Sequence, residues 1–217
     1  MKILKELISA YLAGIAIFLG SLIYLSIDDK IIGSFLFSIG LFFICTMNLS
    51  LFTGRVCYCL DNKKIIDILM MSAIWIMNFN GTTSMSTLIT HTRIYPRLFE
   101  KASTICETKM NDSYLSLFIL GVVCNIFIFI AVHEYKNNPH RIGKYLGIIL
   151  GVMGFILVGS EHCVADMCYI SIADYNTIEM MLRLLIITLG NVVGGISINL
   201  LFKLKEIEFG HTDKKEE

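Results

Sequence analysis

The chain has 217 residues, 55% of them hydrophobic and 17% charged, with as many Lys and Arg as Asp and Glu. That apolar excess excludes an ordinary soluble domain, and the zero formal charge offers no basic face for nucleic acid. Seven cysteines, an odd number set mostly in apolar runs, argue against a disulfide framework and read as small hydrophobes.

The first apolar run is long and lacks a small-residue cleavage site before charge, so it reads as a span and not as a cleavable signal. A transmembrane helix needs roughly 20 apolar residues. Runs at about 7–27, 31–60, 65–92, 113–133, 143–172 and 178–203 predict six spans in a single domain, 1–217. The second passes through Leu51-Phe52-Thr53-Gly54 and on beyond Arg55. The fifth is free of charge only over 145–160, too short alone, and reaches full length by running through Gly159-Ser160-Glu161-His162-Cys163-Val164-Ala165-Asp166-Met167 to about 172. Glu, His and Asp are expensive at membrane depth and are kept there to line a cavity or act on a permeant species. Irregular backbone at that depth requires protein or a water-filled cavity around it, so both spans are expected to be broken helices.

Orientation follows from Lys and Arg. With both termini cytoplasmic, the inner side carries Lys2, Lys5, Lys63, Lys64, Lys136, Arg141, Lys144, Lys203, Lys205, Lys214 and Lys215. The outer side carries the shorter set Lys30, Arg93, Arg97, Lys101, Lys109 and Arg183, with Arg55 inside the membrane layer. The mixed-charge tail 203–217 reads as a short cytoplasmic end. The expected location is therefore a prokaryotic cytoplasmic membrane, crossed several times.

The chain divides into spans 1–3 and 4–6. Thr53 precedes Gly81 by 28 positions, and His162 precedes Gly190 by the same 28. An odd number of spans per half inverts one half against the other, so the two breaks should meet near the midplane. Gly190, Gly194 and Gly195 permit close helix approach.

These segments, taken together, resemble the formate/nitrite transporter family. Leu51-Phe52-Thr53-Gly54 looks like that family's loop in broken helix 2. Cys124-Asn125 looks like its pore asparagine motif, preceded by Lys109 at the family's spacing. Gly159-Ser160-Glu161-His162-Cys163-Val164-Ala165 looks like the loop in broken helix 5, and Gly190-Asn191-Val192-Val193-Gly194-Gly195 like the motif of span 6. The resemblance runs from about Ala13-Gly14 to Phe202. It implies an all-α, aquaporin-like fold of six helices in two inverted repeats, a homopentamer in the lipid bilayer, and a channel for a small monovalent anion, neither enzyme nor cofactor protein. It implies that Thr53 and His162 flank the pore centre, with Asn125 hydrogen-bonded near them. It puts Phe37, Leu41, Leu51 and Phe155 at an apolar constriction, and Lys109 in the outer vestibule, where it gathers anions. The sequence departs from the family pattern at Asp166, where the family has Asn. It departs again at Arg55, where a small polar residue is usual, and at Thr82 and Met85, where Asn and Gly are more frequent. The family's amino-terminal amphipathic helix and its inner-vestibule lysine are largely missing, with Lys2 or Lys5 as candidate substitutes.

A bare anion crossing an apolar constriction loses several kcal/mol of hydration or more, and protonation removes that cost. His162 is the predicted pore side chain suited to proton exchange near neutral pH, with an ordinary histidine satisfied by backbone as the alternative. Glu161 reads as a second ionisable site or as an acceptor for backbone N–H groups freed at the break. Asp166, four residues past His162, would share its helical face and favour the imidazolium. Arg55 and Asp166 are expected either to compensate each other or both to point away from the pore. Thr53 and Asn125 read as pore-lining groups or as bonds between helices. Phe18, Phe42 and Phe127 read as lipid-facing or packing residues.

Two other readings stay open. Cys57, Cys59, His162, Cys163, Asp166 and Cys168 offer N, S and O ligands for zinc or copper if they converge, though their spacing fits no ligand motif and no bound metal is expected. Adjacent His162 and Cys163 are poorly placed for nucleophile and base. A non-conducting member of the family is the remaining alternative.

Overall fold

The computed structural model describes residues 1–61 and 65–210, the side chains of 65–67 and 206–210 excepted. Lys63, Lys64, Lys214 and Lys215 of the charge argument, and the tail beyond 210, lie outside the described residues. The described chain is helical without strands. In order the helices are α1 (Lys2–Ser26), α2 (Lys30–Thr46), α3 (Phe52–Val56), α4 (Ile65–Ile89), α5 (Tyr95–Asn111), α6 (Tyr114–Asn137), α7 (Arg141–Val158), α8 (Cys163–Ile172) and α9 (Ile178–Gly210).

Among the described residues, α1, α6, α7 and α9 through Lys205 are long and apolar enough to cross a membrane; α2 and α8 are shorter apolar helices. Ile31, Leu115, Ile142, Leu150 and Leu201 are each more than half exposed. In water, leaving such a side chain uncovered would forfeit about 1.5–3 kcal/mol; in hydrocarbon it costs nothing. Phe18 is buried, Phe42 is partly exposed, and Phe127 lies where a side chain on Gly154 would have to go.

The two halves are built alike. In the first, α1 packs on α4 and α2; in the second, α6 packs on α9 and α7. Each long pair is drawn together by facing glycines. A Cβ on Gly81 would strike the carbonyl oxygen of Tyr11, and one on Gly14 that of Asn78. Gly190 stands in the same relation to Phe118, and Gly121 to Ile187. Small residues at such crossings let the backbones approach in the absence of a hydrophobic driving force.

The run 31–60 is two helices, α2 and α3, and 143–172 is α7 and α8. Helix α7 ends at Gly159, whose φ of 78° is the left-handed conformation that glycine adopts without strain. The chain then crosses Ser160 and Glu161 without regular structure before α8 begins at Cys163. The apolar runs predict no helix between spans 3 and 4, yet 95–111 is the amphipathic α5. It lies against α8. Asp28 ties it down through Arg97 (3.2 Å) and Lys101 (2.7 Å), and Tyr95 Oη donates to the Ile172 carbonyl at 3.2 Å. Lys2 and Lys5 sit exposed on the first turns of α1.

Candidate functional site

The two breaks meet at one contact, Thr53 Oγ1 to His162 Nε2, 2.9 Å. Both residues are buried. His162 is the N-cap of α8, and its Nδ1 accepts from the Ala165 backbone N–H at 3.1 Å. An accepting Nδ1 leaves the hydrogen of a neutral imidazole on Nε2, which therefore donates to the Thr53 hydroxyl. The imidazole ring stacks on Phe155, 5.5 Å between centroids and 19° between planes.

The freed backbone is satisfied from the opposite helices. Asn191 on α9 accepts from the Cys163 N–H at 3.0 Å and donates to the carbonyls of Gly121 (2.8 Å) and Glu161 (2.9 Å). Asn78 on α4 accepts from the Phe52 N–H at 2.8 Å and donates to the carbonyls of Ala10 (2.7 Å) and Ser50 (3.1 Å). Because Asn191 and His162 take these N–H groups, Glu161 is not used there, which corrects one expectation for it. Its carboxylate instead contacts the Lys109 ammonium. Asp166 Oδ1 reaches the same Nζ at 3.1 Å. Burial alone would pull the Lys109 ammonium toward losing its proton, but Asp166 and Glu161 outweigh it and hold the group above the ordinary lysine range.

Two cavities adjoin this centre. One, about 270 Å³ on the α5 side, is lined by Phe155, His162, Lys109, Glu161, Asp166 and Tyr24, among others. The other, about 180 Å³, is lined by Leu41, Leu51, Arg55, Lys136 and their neighbours. At about 30 Å³ per water in the liquid, each has room for a solute of a few atoms. Phe37 lines neither cavity; it packs edge-on to Phe155 at 6.0 Å and to Tyr24 at 6.2 Å. Asn125 is fully buried behind the break, donating to the carbonyls of Thr53 (3.2 Å) and Asn191 (2.7 Å).

The proposed compensation of Arg55 by Asp166 does not occur. Arg55 pairs with Glu6 at 2.8 Å and donates to Ser50 at 3.0 Å, while Asp166 turns to Lys109. Each charge finds its partner on its own side of the centre. Among the described residues no three His, Cys, Asp or Glu side chains converge as metal ligands, so the set from Cys57 to Cys168 does not meet at a point.

The model of the family described as "Formate/nitrite transporter" matches residues 1–204. The chain belongs to the formate/nitrite transporter family. "Formate channel BtFdhC" of Bacillus thuringiensis is 25% identical over 178 residues, which are 76% of this chain and 69% of that protein. "Uncharacterized transporter YHL008C" of Saccharomyces cerevisiae is 29% identical over 176 residues, 74% of this chain but only 28% of the yeast protein. The solved structure "Pentameric formate channel with formate bound" superposes with a TM-score of 0.80 at 22% identity, covering 95% of this chain and 98% of that one. That likeness establishes the fold: an all-α, aquaporin-like membrane protein of six spans in two inverted three-helix repeats, with helices 2 and 5 broken. Membership in a family of channels and transporters makes the chain an integral, multi-pass transport protein and not an enzyme.

For a formate/nitrite transporter family member, several residues at the centre carry no motif of their own. Asn78 stands in its span as one of two amides, with Asn80, and no spacing in the sequence marks which of them caps the break. Tyr24 and Lys136 line the cavities through tertiary placement alone.

Proposed function

We propose that this chain is a homopentameric channel for a small monovalent weak-acid anion of the formate, nitrite or hydrosulfide class. In this reading the termini are cytoplasmic, the α5 side faces outward, and the membrane is the prokaryotic cytoplasmic one. The observation that carries the reading is the Thr53–His162 contact. Among the described residues it is the one polar contact between the two breaks, and a polar-rimmed cavity opens on either side of it. The solved relative, a pentameric formate channel with formate bound, supports the anion class and the pentamer.

The barrier in this path is apolar: Phe155 on one side, Leu41 and Leu51 on the other, with Phe37 backing Phe155. A charged permeant would lose its water here at a cost of several kcal/mol, while its neutral acid would not. The anion therefore takes up a proton at or near His162 and passes as the acid. In the resting arrangement His162 is the neutral Nε2–H form, and a proton accepted by it must displace the Ala165 N–H from Nδ1. Thr53 holds the imidazole hydrogen until a permeant competes for it.

The reading is tested by stopped-flow light scattering on proteoliposomes with formate, nitrite, hydrosulfide, acetate and chloride. Rapid flux of one or more weak-acid anions, with chloride excluded and the pH profile changed in His162→Phe, is the expected result. A profile unmoved by that substitution removes the proton role of His162. Flux of none of the five by intact pentamer selects the second reading, a non-conducting member. The observation favouring the latter is that two carboxyls crowd the one ammonium Lys109 at the α5-side cavity.

A further inference from the structure

The α5-side cavity holds a charge imbalance that the proton exchange at His162 does not use. Lys109 is 5% exposed, Glu161 8% and Asp166 2%. Both carboxyls meet the same ammonium. If both are ionised, the cluster is a buried net anion at the mouth through which an anion must pass. Asp166 Oδ2 lies buried without a hydrogen-bond partner, on a residue that lines the cavity. An ionised carboxylate oxygen left so is costly; a protonated one has an O–H that can donate to the neighbouring carboxylate.

Two other cations come close, and each is engaged elsewhere: Arg183 of α9 donates to the Lys109 carbonyl at 2.8 Å but pairs with Glu179 at 3.1 Å, and Lys30 of α2, exposed at the cavity edge, donates to the Leu157 carbonyl at 3.2 Å. From α5, Cys106 lies nearby beside Lys109; from α6, Cys124; from α1, Tyr24; from α8 itself, Tyr169 and Cys163. Each of these is neutral in its ordinary form. His162 turns both ring nitrogens elsewhere. Two like charges sharing a desolvated site do not both ionise, and the proton they retain belongs to the pair.

We propose that Glu161 and Asp166 hold one proton between them beneath Lys109, and that the pair gives this proton to a weak-acid anion in the α5-side cavity. The step balances as written: a carboxylic O–H bond breaks, an O–H or S–H bond forms on the anion, and the neutral acid moves on toward Phe155. The pair is left doubly ionised against Lys109 and regains its proton from water on the α5 side. The donor role rests on the channel reading above; the shared proton does not. Asp166 thereby turns a one-to-one ion pair into a proton reservoir.

The shared proton is read by infrared spectroscopy of the purified full-length protein at about pH 8, where exposed carboxyls are ionised. A carbonyl stretch of a protonated carboxyl that shifts in D2O is expected in the native protein. It should be lost in Asp166→Asn, a near-isosteric change, and lost in Glu161→Gln, since either leaves one carboxylate for one ammonium. A native protein without the band, or a folded variant that keeps it, overturns the proposal. The donor role is read by formate uptake against α5-side pH. Native flux should fall less steeply with rising pH than that of Asp166→Asn, and equal slopes overturn the role. If neither protein conducts any weak acid, the channel reading fails and the donor role with it, while the infrared result still decides the shared proton.

Discussion

Asn78 and Asn191 make the same kind of three bonds in opposite halves of the molecule: each accepts from one backbone N–H at the start of a half-helix and donates to one carbonyl in the break and one on the facing long helix, α1 or α6. Each stands on the long helix that closes its half, α4 or α9. The inverted repeat is thus preserved at the level of individual hydrogen bonds. It explains how two interrupted helices persist where no water can satisfy their ends.

Replacing either amide should therefore be far more damaging than replacing an amide nearby. Asn191→Ala orphans the Cys163 N–H and loosens two carbonyls; a buried group left unpaired costs about 1–3 kcal/mol. Thermal unfolding of the purified protein in detergent should show a large loss for Asn191→Ala and for Asn78→Ala. Asn80→Ala, at an exposed position on α4, serves as the control and should change little. Equal effects at 78 and 80 would refute the capping role.

The glycine crossings predict a second pattern. A side chain at Gly81 or Gly190 meets backbone and not a movable side chain tip. Overpacking of this kind costs about 1–3 kcal/mol, and more where helices must separate. Gly81→Val and Gly190→Val should reduce the yield of folded protein, while Gly54→Val, whose nearest neighbour is a Val132 methyl at 3.6 Å, should be tolerated better.

The spans and the two breaks were legible because burial in lipid writes itself into composition. Glu161, His162 and Asp166 stood out for the same reason. Partners were harder to read. Because both depart from the family pattern, Arg55 and Asp166 invite pairing as one of two expectations, but Coulomb interactions act over ångströms, and Glu6 and Lys109 are the nearer groups. The sequence leaves Glu161 two roles, a second ionisable site or an acceptor for the N–H groups a break frees. Nothing local said that Asn191, 28 positions past Cys163, already takes one of them. Helix α5 carries no apolar run, since only one of its faces is buried and polar and charged residues interrupt the rest.

The central contact is separable from the capping bonds. Thr53→Val keeps the shape and removes the hydroxyl, leaving the His162 Nε2–H without its acceptor, at a cost of about 1–3 kcal/mol. Thr53→Ser should restore both stability and, if the chain conducts, flux. A Val variant as stable as the native protein would mean that the imidazole hydrogen has another acceptor.

The anchoring of α5 should depend on acidity. Hydrogen bonding to Lys101, then its charge, then Arg97, hold the Asp28 carboxyl below the usual aspartate range. A carboxyl lowered in the folded state stabilises it at every pH above the unfolded value, about 3.9, and the gain disappears as pH falls through the folded value. Hydrogen exchange of the α5 amides, corrected for intrinsic rate, should therefore be flat from neutral to mildly acid pH and should rise only below about pH 4. Asp28→Asn should show the raised exchange at neutral pH. Since Asp28 is exposed, high salt should weaken the tie as well.

Lys109 gives the sharpest stability test. Lys109→Met removes the one cation that Glu161 and Asp166 share and leaves buried carboxyls unbalanced, a change that costs about 3–5 kcal/mol where a buried pair loses one partner. Removing the acids as well removes the imbalance. The triple variant Lys109→Met, Glu161→Gln, Asp166→Asn should thus unfold at a higher temperature than Lys109→Met alone. With Glu161→Gln added alone to Lys109→Met, the recovery should be partial, since one carboxyl remains. If Lys109→Met melts with the native protein, the carboxyls are solvated from the cavity and the cluster contributes no stability.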